Sequence, residues 1–335
     1  MKLLQDVDLR SFNTLGIPAT AKYFADVTNI EELQNALEFA RARGQAPIIL
    51  GGGSNTVFTG DIDSLLIRLA MRGIACSVDG NDRIVEAAAG ENWNELVCYC
   101  LAQGWYGLEN LISIPGSVGA APIQNIGAYG VELSNVLESV SGWDCQHGVI
   151  RRLSAEDCEL GYRDSVFKHA LKDRFIITSV SLRLSVIPKP ELSYPALRAE
   201  LTDAERATPE QIAETVAAIR AQKLPDYRRD PNAGSFFKNP LISAEKASDL
   251  LRQYPALAHW QMPNGQVKLA AAWLVDQSGW KGRRADGVGI HPNQAIVLVN
   301  YDGRSGADIL HFAAQIQADV FANYGVNLEI EPRVY

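Results

Sequence analysis

At 335 residues the chain is too long for one ordinary core, so two or three domains are expected. Its 47% hydrophobic and 21% charged residues are ordinary for a globular protein. The net charge of −8 argues against a non-specific nucleic-acid binder, and no run approaches the ~20 apolar residues of a membrane span.

The first eight residues, Met-Lys-Leu-Leu-Gln-Asp-Val-Asp, show no secretory apolar run after the Lys. Residues 21–27 read as a strand and 29–43 as a helix, with Thr28 and Glu31 as a capping box and Gly44 as the stop. A buried strand over 46–50 runs into Gly51-Gly52-Gly53-Ser54-Asn55. Strand, glycine run, then Ser and Asn suits a phosphate cradle, and suits a plain hairpin turn equally well. It is not the dinucleotide fingerprint, because Thr56 stands where a third glycine is needed, and no Walker A Lys follows.

Strands near 64–68 and 84–88 precede a helix over 92–103 that ends at Gly104. The next segment, 109–130, contains Gly116, Gly119, Gly127, Gly130, Pro115 and Pro122 and neither Lys nor Arg. Glycines allow positive φ and close approach of main-chain N–H groups to a ligand, while prolines stiffen the chain. Such a loop suits an extended anionic cofactor held by amides; a set of structural turns would share its composition. Strands follow at 137–143 and 149–153. Over 179–186 apolar Val180, Leu182, Leu184 and Val186 alternate with polar residues, as in a half-buried antiparallel strand. Strands outnumber crossover helices, so the class is α+β.

The proline-rich segment 187–195 should be irregular. A helix capped by Thr208, with Pro209 in its first turn and Gln211 completing the box, carries the stripe Ile212, Val216 and Ile219 and ends before Lys223. Helices are expected near 243–253, 267–277 and 306–324, and a strand at 294–300. The last helix has Ser305 before it, Ile309, Phe312, Ile316 and Val320 on one face, and Gly325 after it. Cys76, Cys98, Cys100, Cys145 and Cys158 lack zinc-like spacing, and the five histidines lack ligand spacing. No metal site is expected, and unpaired thiols fit a reducing cytoplasm.

Two clusters stand out: Gly161-Tyr162-Arg163-Asp164-Ser165, and Asn232-Ala-Gly-Ser235-Phe-Phe-Lys-Asn239-Pro240. Ser235 has no adjacent His and no Gly-x-Ser-x-Gly elbow, so it is not an activated nucleophile, although a hydroxyl in a dry site can donate a proton. Taken alone, each cluster is more often a capped turn or a satisfied surface pair than a catalytic group.

These clusters lie in register with Asn13-Thr14-Leu15, Leu50–Asn55, Ile114-Pro115-Gly116-Ser117-Val118-Gly119 and Pro122–Gly130. Together the six motifs resemble the UDP-N-acetylenolpyruvoylglucosamine reductase family, from about residue 10 to the C-terminus. The resemblance implies a bipartite FAD-binding region of the vanillyl-alcohol-oxidase/p-cresol-methylhydroxylase type and a smaller α+β substrate-binding domain. The implied division is 1–66 and 67–223 for flavin, the latter with a Tyr loop at 187–195, 224–326 for substrate, and a returning C-terminal strand at 327–335. FAD would be non-covalent, with NADPH as co-substrate and an enolpyruvyl sugar nucleotide as hydride acceptor.

The implied flavin contacts are Gly51, Gly52, Gly53, Ser54, Asn55, Ile114, Pro115, Gly116, Ser117, Gly119, Gln124, Asn125, Gly127, Ala128 and Tyr129. Arg163 and Glu331 would stabilise the substrate carboxylate and Ser235 would protonate carbon. Tyr162, Tyr194, Lys223, Asn239 and Arg333 would contact substrate. The family ending Leu-Glu-x-Glu-Val-Arg reads Leu328-Glu-Ile-Glu-Pro332-Arg333 here, so Glu329, on the same strand face as Glu331, is a competing carboxylate. A cytoplasmic monomer acting on small molecules, with no nucleic acid and no membrane insertion, is the expectation. The rivals are an FAD oxidase of the same fold, identified by oxygen consumption with other donors, and a non-catalytic flavin or nucleotide module. The latter should lack Ser235, Arg163 or Glu331, and all three are present.

Overall fold

The computed structural model describes residues 1–335, and it contains 20 strands and seven α-helices joined by short 3-10 turns. The chain forms two compact units. The first comprises Met1–Val7, Ala21–Gly53 and Ile62–Gln222; the second comprises Asp8–Thr20, Ser54–Asp61 and Lys223–Tyr335.

The first unit holds two main sheets. In one, Ile62–Leu69 is central and pairs in parallel with Thr20–Val27 and Ile48–Leu50. Its apolar residues Leu65, Ile67, Ala25 and Val27 pack with Leu33, Ala36 and Ala40 of the helix Ile30–Ala42. That helix is capped by Asn29, whose side chain accepts from Glu32 N, while the Glu32 carboxylate accepts from Thr28 N and Oγ1. The cap is therefore Asn29 rather than the expected Thr28, with Glu32 rather than Glu31 reaching back, to Thr28, because Asn29 is as good an acceptor as Thr and sits nearer the first turn.

The other sheet is antiparallel throughout, in the order Val149–Ser154, Leu137–Asp144, Phe175–Ser185, Asp82–Ala88, Ile74–Asp79. Val180, Leu182 and Leu184 point into a core shared with Trp93, Leu96 and Val97 of the helix Trp93–Ala102, as the period-two pattern requires. That strand begins at Phe175, four residues before the alternation becomes clean, because residues 175–178 are all buried. Cys98 is exposed and Cys100 buried; burial pushes the Cys100 thiol up to about 12, so it stays protonated. The helix Pro209–Lys223 packs Ile212, Val216 and Ile219 against Leu197, Leu192 and Tyr129. Leu197 belongs to a short helix, Pro195–Glu200, that closes the otherwise irregular 187–195 segment.

In the second unit, Asn232–Ser235, Gln294–Asn300, Val288–His291 and Arg284–Ala285 form a four-stranded sheet. The helix Gly306–Tyr324 is capped by a reciprocal Ser305–Asp308 box and ended by Gly325 in the left-handed region, as expected. The expected helix over 267–277 is corrected. Residues Val267–Leu269 are a strand between Leu241–Ile242 and His259–Gln261, and the helix begins only at Ala271. The Asn239 side chain accepts from Ala271 N at 2.9 Å and fixes that start from outside the local sequence.

Candidate active site

In the first unit the chain leaves the strand Ile48–Leu50 directly into Gly51–Gly53 and meets residues 116–117 of the long loop. A Cβ on Gly52 would lie 2.8 Å from the Gly116 Cα and 3.2 Å from Ser117 N; one on Gly51 would lie 2.5 Å from Ser117 Oγ. Only glycine allows two backbones to approach so closely. Gly53 at φ +64° and Gly116 at φ +127° occupy conformations that other residues rarely adopt. The N–H groups of Gly52, Gly53 and Gly116 donate to no protein carbonyl, and the buried Ser117 Oγ has no partner. Unused donors and an orphaned hydroxyl beside a glycine wall are what a bound oxyanion would satisfy.

The loop is held from below. Trp93 Nε1 donates to Leu111 O at 3.0 Å, Trp93 N to Gly116 O at 3.1 Å, and Ser113 N to Asn94 Oδ1 at 2.7 Å. Gly119 N donates to Ala89 O at 2.9 Å, and a Cβ there would lie 2.6 Å from the Ala89 Cβ. A 3-10 turn over Val118–Gln124 ends at Asn125, which is left-handed and fully buried. The Asn125 amide donates to Glu132 Oε2 at 2.9 Å and Gly161 O at 3.0 Å, and its oxygen accepts from Ser134 N at 2.9 Å. Its side chain is therefore spent on fixing the turn.

Arg163, at φ +53°, reaches back to the same turn, donating to Gly127 O at 2.7 Å and Asn125 O at 3.4 Å, with its guanidinium 5.6 Å from the Tyr162 ring centroid. Tyr129, also left-handed, packs edge-on to Tyr194 with centroids 5.1 Å apart; burial raises its phenol above the ordinary value. Asn110 donates to Tyr129 O and Glu191 O, tying the 187–195 segment to the loop. Of eight non-glycine residues at positive φ, Ser113, Asn125, Tyr129 and Arg163 all lie here. Strain of this kind persists only where the surroundings over-determine it, and it clusters at functional sites.

In the second unit, Ser235 ends the strand Asn232–Ser235, preceded by Gly234 at φ +69°. Asn232 sets this bend by accepting from Gly234 N at 2.8 Å. The C-terminal segment runs antiparallel beside it: Glu331 N donates to Phe236 O and Lys238 N to Glu329 O, both at 2.9 Å. Glu331 therefore lies level with Phe236, next to Ser235. Glu329 lies level with Lys238, pairs with its ammonium, and has a side chain 71% exposed. Asn55 donates to Glu331 O at 3.4 Å and accepts from Arg333 N at 2.9 Å, and Thr56–Val57 pairs in parallel with Arg333–Val334. Pro332 falls between the hydrogen-bonded Glu331 and Arg333 N–H groups and costs the ladder nothing. Thr14 Oγ1 donates to Ser54 O at 3.3 Å and Thr14 O accepts from Asn232 N at 2.9 Å, which gives the Asn13-Thr14-Leu15 motif a scaffold role. Arg333 stacks 4.7 Å from the Tyr335 ring centroid, and Lys223 ends the helix Pro209–Lys223.

The sequence reading missed Asn94 and Trp93 as supports of the loop, and it missed Arg220. Arg220 lies in the helix Pro209–Lys223, four residues after Val216 and seven after buried Ala213, so an Arg on the apolar side of an amphipathic helix was the available signal. No cluster of His, Cys, Asp or Glu could hold a metal ion, and no helix is long and apolar enough to cross a membrane.

Residues 21–154 match the family model of an FAD-binding domain, and residues 225–335 that of the UDP-N-acetylenolpyruvoylglucosamine reductase C-terminal domain. The UDP-N-acetylenolpyruvoylglucosamine reductase of Pseudomonas syringae pv. syringae (strain B728a) is 44% identical over 98% of each chain. That of Shewanella sp. (strain MR-4) is 44% identical over 97% of this chain and 95% of its own. The solved structure of the reductase from Thermus caldophilus superposes with a TM-score of 0.71 at 25% identity, covering 100% of this chain and 99% of that one.

Proposed function

The chain belongs to the UDP-N-acetylenolpyruvoylglucosamine reductase family, and from that premise we propose that it reduces UDP-N-acetylglucosamine enolpyruvate to UDP-N-acetylmuramate at the expense of NADPH, for peptidoglycan precursor synthesis. It is an oxidoreductase with FAD as cofactor, and its fold is a bipartite FAD-binding region of the vanillyl-alcohol-oxidase/p-cresol-methylhydroxylase type plus a smaller α+β domain. Bound FAD supplies hydride exchange between NADPH and the vinyl group.

The observation that carries this reading is the glycine cradle, whose unpaired donors at Gly52, Gly53 and Gly116 and orphaned Ser117 hydroxyl fit a diphosphate. We assign FAD to Gly51–Gly53, Ser54, Asn55, 114–117, Gly119, Gln124, Asn125, Gly127, Ala128 and Tyr129. Asn125 serves through its backbone turn. By this assignment 1–66 and 67–223 hold flavin, and 224–326 with the strand 327–335 hold substrate.

Arg163 is proposed to neutralise the substrate carboxylate as negative charge develops on it. The Tyr162 face and the two loop carbonyls hold its guanidinium in place. Ser235 gives its proton to carbon, and Glu331, held by backbone bonds beside it, stabilises the same charge. A hydroxyl is a weak acid, but an enolate-like carbon is a strong base, so positioning decides the rate. Tyr162, Tyr194, Lys223, Asn239 and Arg333 are assigned to substrate binding; the Asn239 oxygen also accepts from Ala271 N. The enzyme would act in the cytoplasm as a monomer.

The test separates the half-reactions anaerobically. Ser235→Ala should leave flavin reduction by NADPH within about threefold of wild type and slow reoxidation by substrate by about 10²–10⁴-fold, the range for a lost general acid. Equal slowing of both steps would remove Ser235 from the proton-donor role.

A further inference from the structure

Arg333 lies against an aromatic ring two residues further along the chain. Its guanidinium carbon is 4.7 Å from the centroid of the Tyr335 ring. Residues i and i+2 of an extended backbone share a face, so the pairing follows from the strand conformation. That backbone is fixed along its length. Arg333–Val334 pairs in parallel with Thr56–Val57, Arg333 N donates to Asn55 O and Tyr335 N to Val57 O, both at 2.9 Å. Tyr335 O accepts from Thr59 N at 2.9 Å and from Thr59 Oγ1 at 2.7 Å. The ring stacks on Phe58, with centroids 6.0 Å apart and planes 28° from parallel. Phe58 is fully buried, and a Cβ on Gly306 would lie 1.9 Å from its carbonyl oxygen, so the helix Gly306–Tyr324 packs directly on that backbone. Strand, buried ring and helix start thus hold the surface on which Arg333 rests.

A stacked ring uses the flat face of a guanidinium and none of its N–H donors, whereas a carboxylate partner takes two of them. A ring therefore fixes where a cation stands without using its capacity to bind an anion. We propose that Tyr335 is the positioning residue for Arg333, holding its guanidinium where the anionic substrate meets it. This rests on the proposed function, which assigns Arg333 to substrate binding. Without the ring, the long side chain would have to be ordered when the ligand arrives, and affinity would fall.

Substrate binding to oxidised holoenzyme, whose flavin has no hydride to transfer, tests this without relying on rate. Flavin absorbance is titrated with the enolpyruvyl sugar nucleotide in wild type, Tyr335→Leu, Tyr335→Phe, Arg333→Met and the Arg333→Met/Tyr335→Leu double variant. Tyr335→Leu should raise Kd about 3–10-fold, the size of a lost cation–π contact. Tyr335→Phe, which keeps the ring face, should recover most of that loss. Arg333→Met should raise Kd about 10–100-fold, as for a lost hydrogen bond to a charged group. With Arg333 replaced there is no guanidinium to position, so Tyr335→Leu should then add less than about twofold. A merely structural Tyr335 would weaken binding equally in both backgrounds. That result, an unchanged Kd in Tyr335→Leu or Arg333→Met, or a Tyr335→Phe as weak as Tyr335→Leu, overturns the proposal. Should Tyr335→Leu not fold, Tyr335→Met, which keeps bulk against Phe58, carries the same cycle. Wild-type holoenzyme that neither binds the substrate nor, once reduced, is reoxidised by it would overturn the proposed function, and this inference with it.

Discussion

Adding one methyl group at Gly52 should separate flavin affinity from folding. The Cβ of Gly52→Ala would sit 2.8 Å from the Gly116 Cα, 3.1 Å from its carbonyl carbon and 3.2 Å from Ser117 N, all main-chain atoms with no rotamer to turn away. The two segments must separate by several tenths of an ångström, an overpacking cost of about 1–3 kcal/mol. That displacement moves the Gly52 and Gly116 N–H groups off the proposed diphosphate. Hydrogen bonds to a charged group are worth about 1.5–3 kcal/mol each. Losing the equivalent of one to two such bonds, about 3 kcal/mol, raises the FAD Kd about a hundredfold. Flavin-free protein would be titrated with FAD by fluorescence quenching, and urea unfolding of the same protein would measure the packing cost separately. Gly60→Ala is the control, since a Cβ there meets nothing within 4 Å and its φ is not in the left-handed region. Gly52→Ala binding FAD within threefold of wild type would refute the amide cradle, whatever its effect on stability.

The competing carboxylates separate by the same half-reactions used for Ser235. Glu331→Gln should slow reoxidation by substrate at least a hundredfold, whereas Glu329→Gln, which loses only an exposed pair with Lys238 worth under about 1 kcal/mol, should change it less than threefold. A larger loss at Glu329 would reverse the assignment. In the helix Ile30–Ala42, bonds from Thr28 N and Oγ1 lower the Glu32 carboxyl from 4.5 to about 2. A lowered carboxyl stabilises the fold above its unfolded value and loses that contribution as pH falls through the folded one. Glu32→Gln should therefore cost about 1 kcal/mol, the worth of a cap, at pH 7, and the difference should disappear on acidification from pH 4.5 towards 2. A constant deficit across that range in denaturant unfolding would contradict the ionic cap.

Local chemistry made much of the fold legible. The helix Gly306–Tyr324 announces itself because cap, apolar face and terminal glycine are all within its own sequence. The strand Phe175–Ser185 is visible where one face is wet and indistinct where both faces are buried, since alternation exists only in the first case. Val267–Leu269 failed for a different reason. Three residues of alternation precede an Ala-rich helix, and what divides strand from helix is the Asn239 side chain, 32 positions away from the amide it binds. The strand Ile74–Asp79 was silent because it is an edge whose residues are almost all exposed, leaving no apolar period to read.

The site was legible where identity is forced by geometry and illegible where it depends on burial. Gly52 and Gly116 can be nothing else if two backbones are to touch, so the sequence must show them as glycines. Arg163 gives a weaker signal: its cluster stands out in the sequence, but its strained backbone and its bonds to Asn125 O and Gly127 O arise from a turn nearly forty residues along the chain, and only the family resemblance suggested its role. Arg220 is the extreme case. An Arg next to an apolar stripe usually runs its stem along the core and keeps its charge in water, so its place on the apolar side of the helix is only a weak signal. It stands out only because the folded chain buries its Nε without a hydrogen-bond partner.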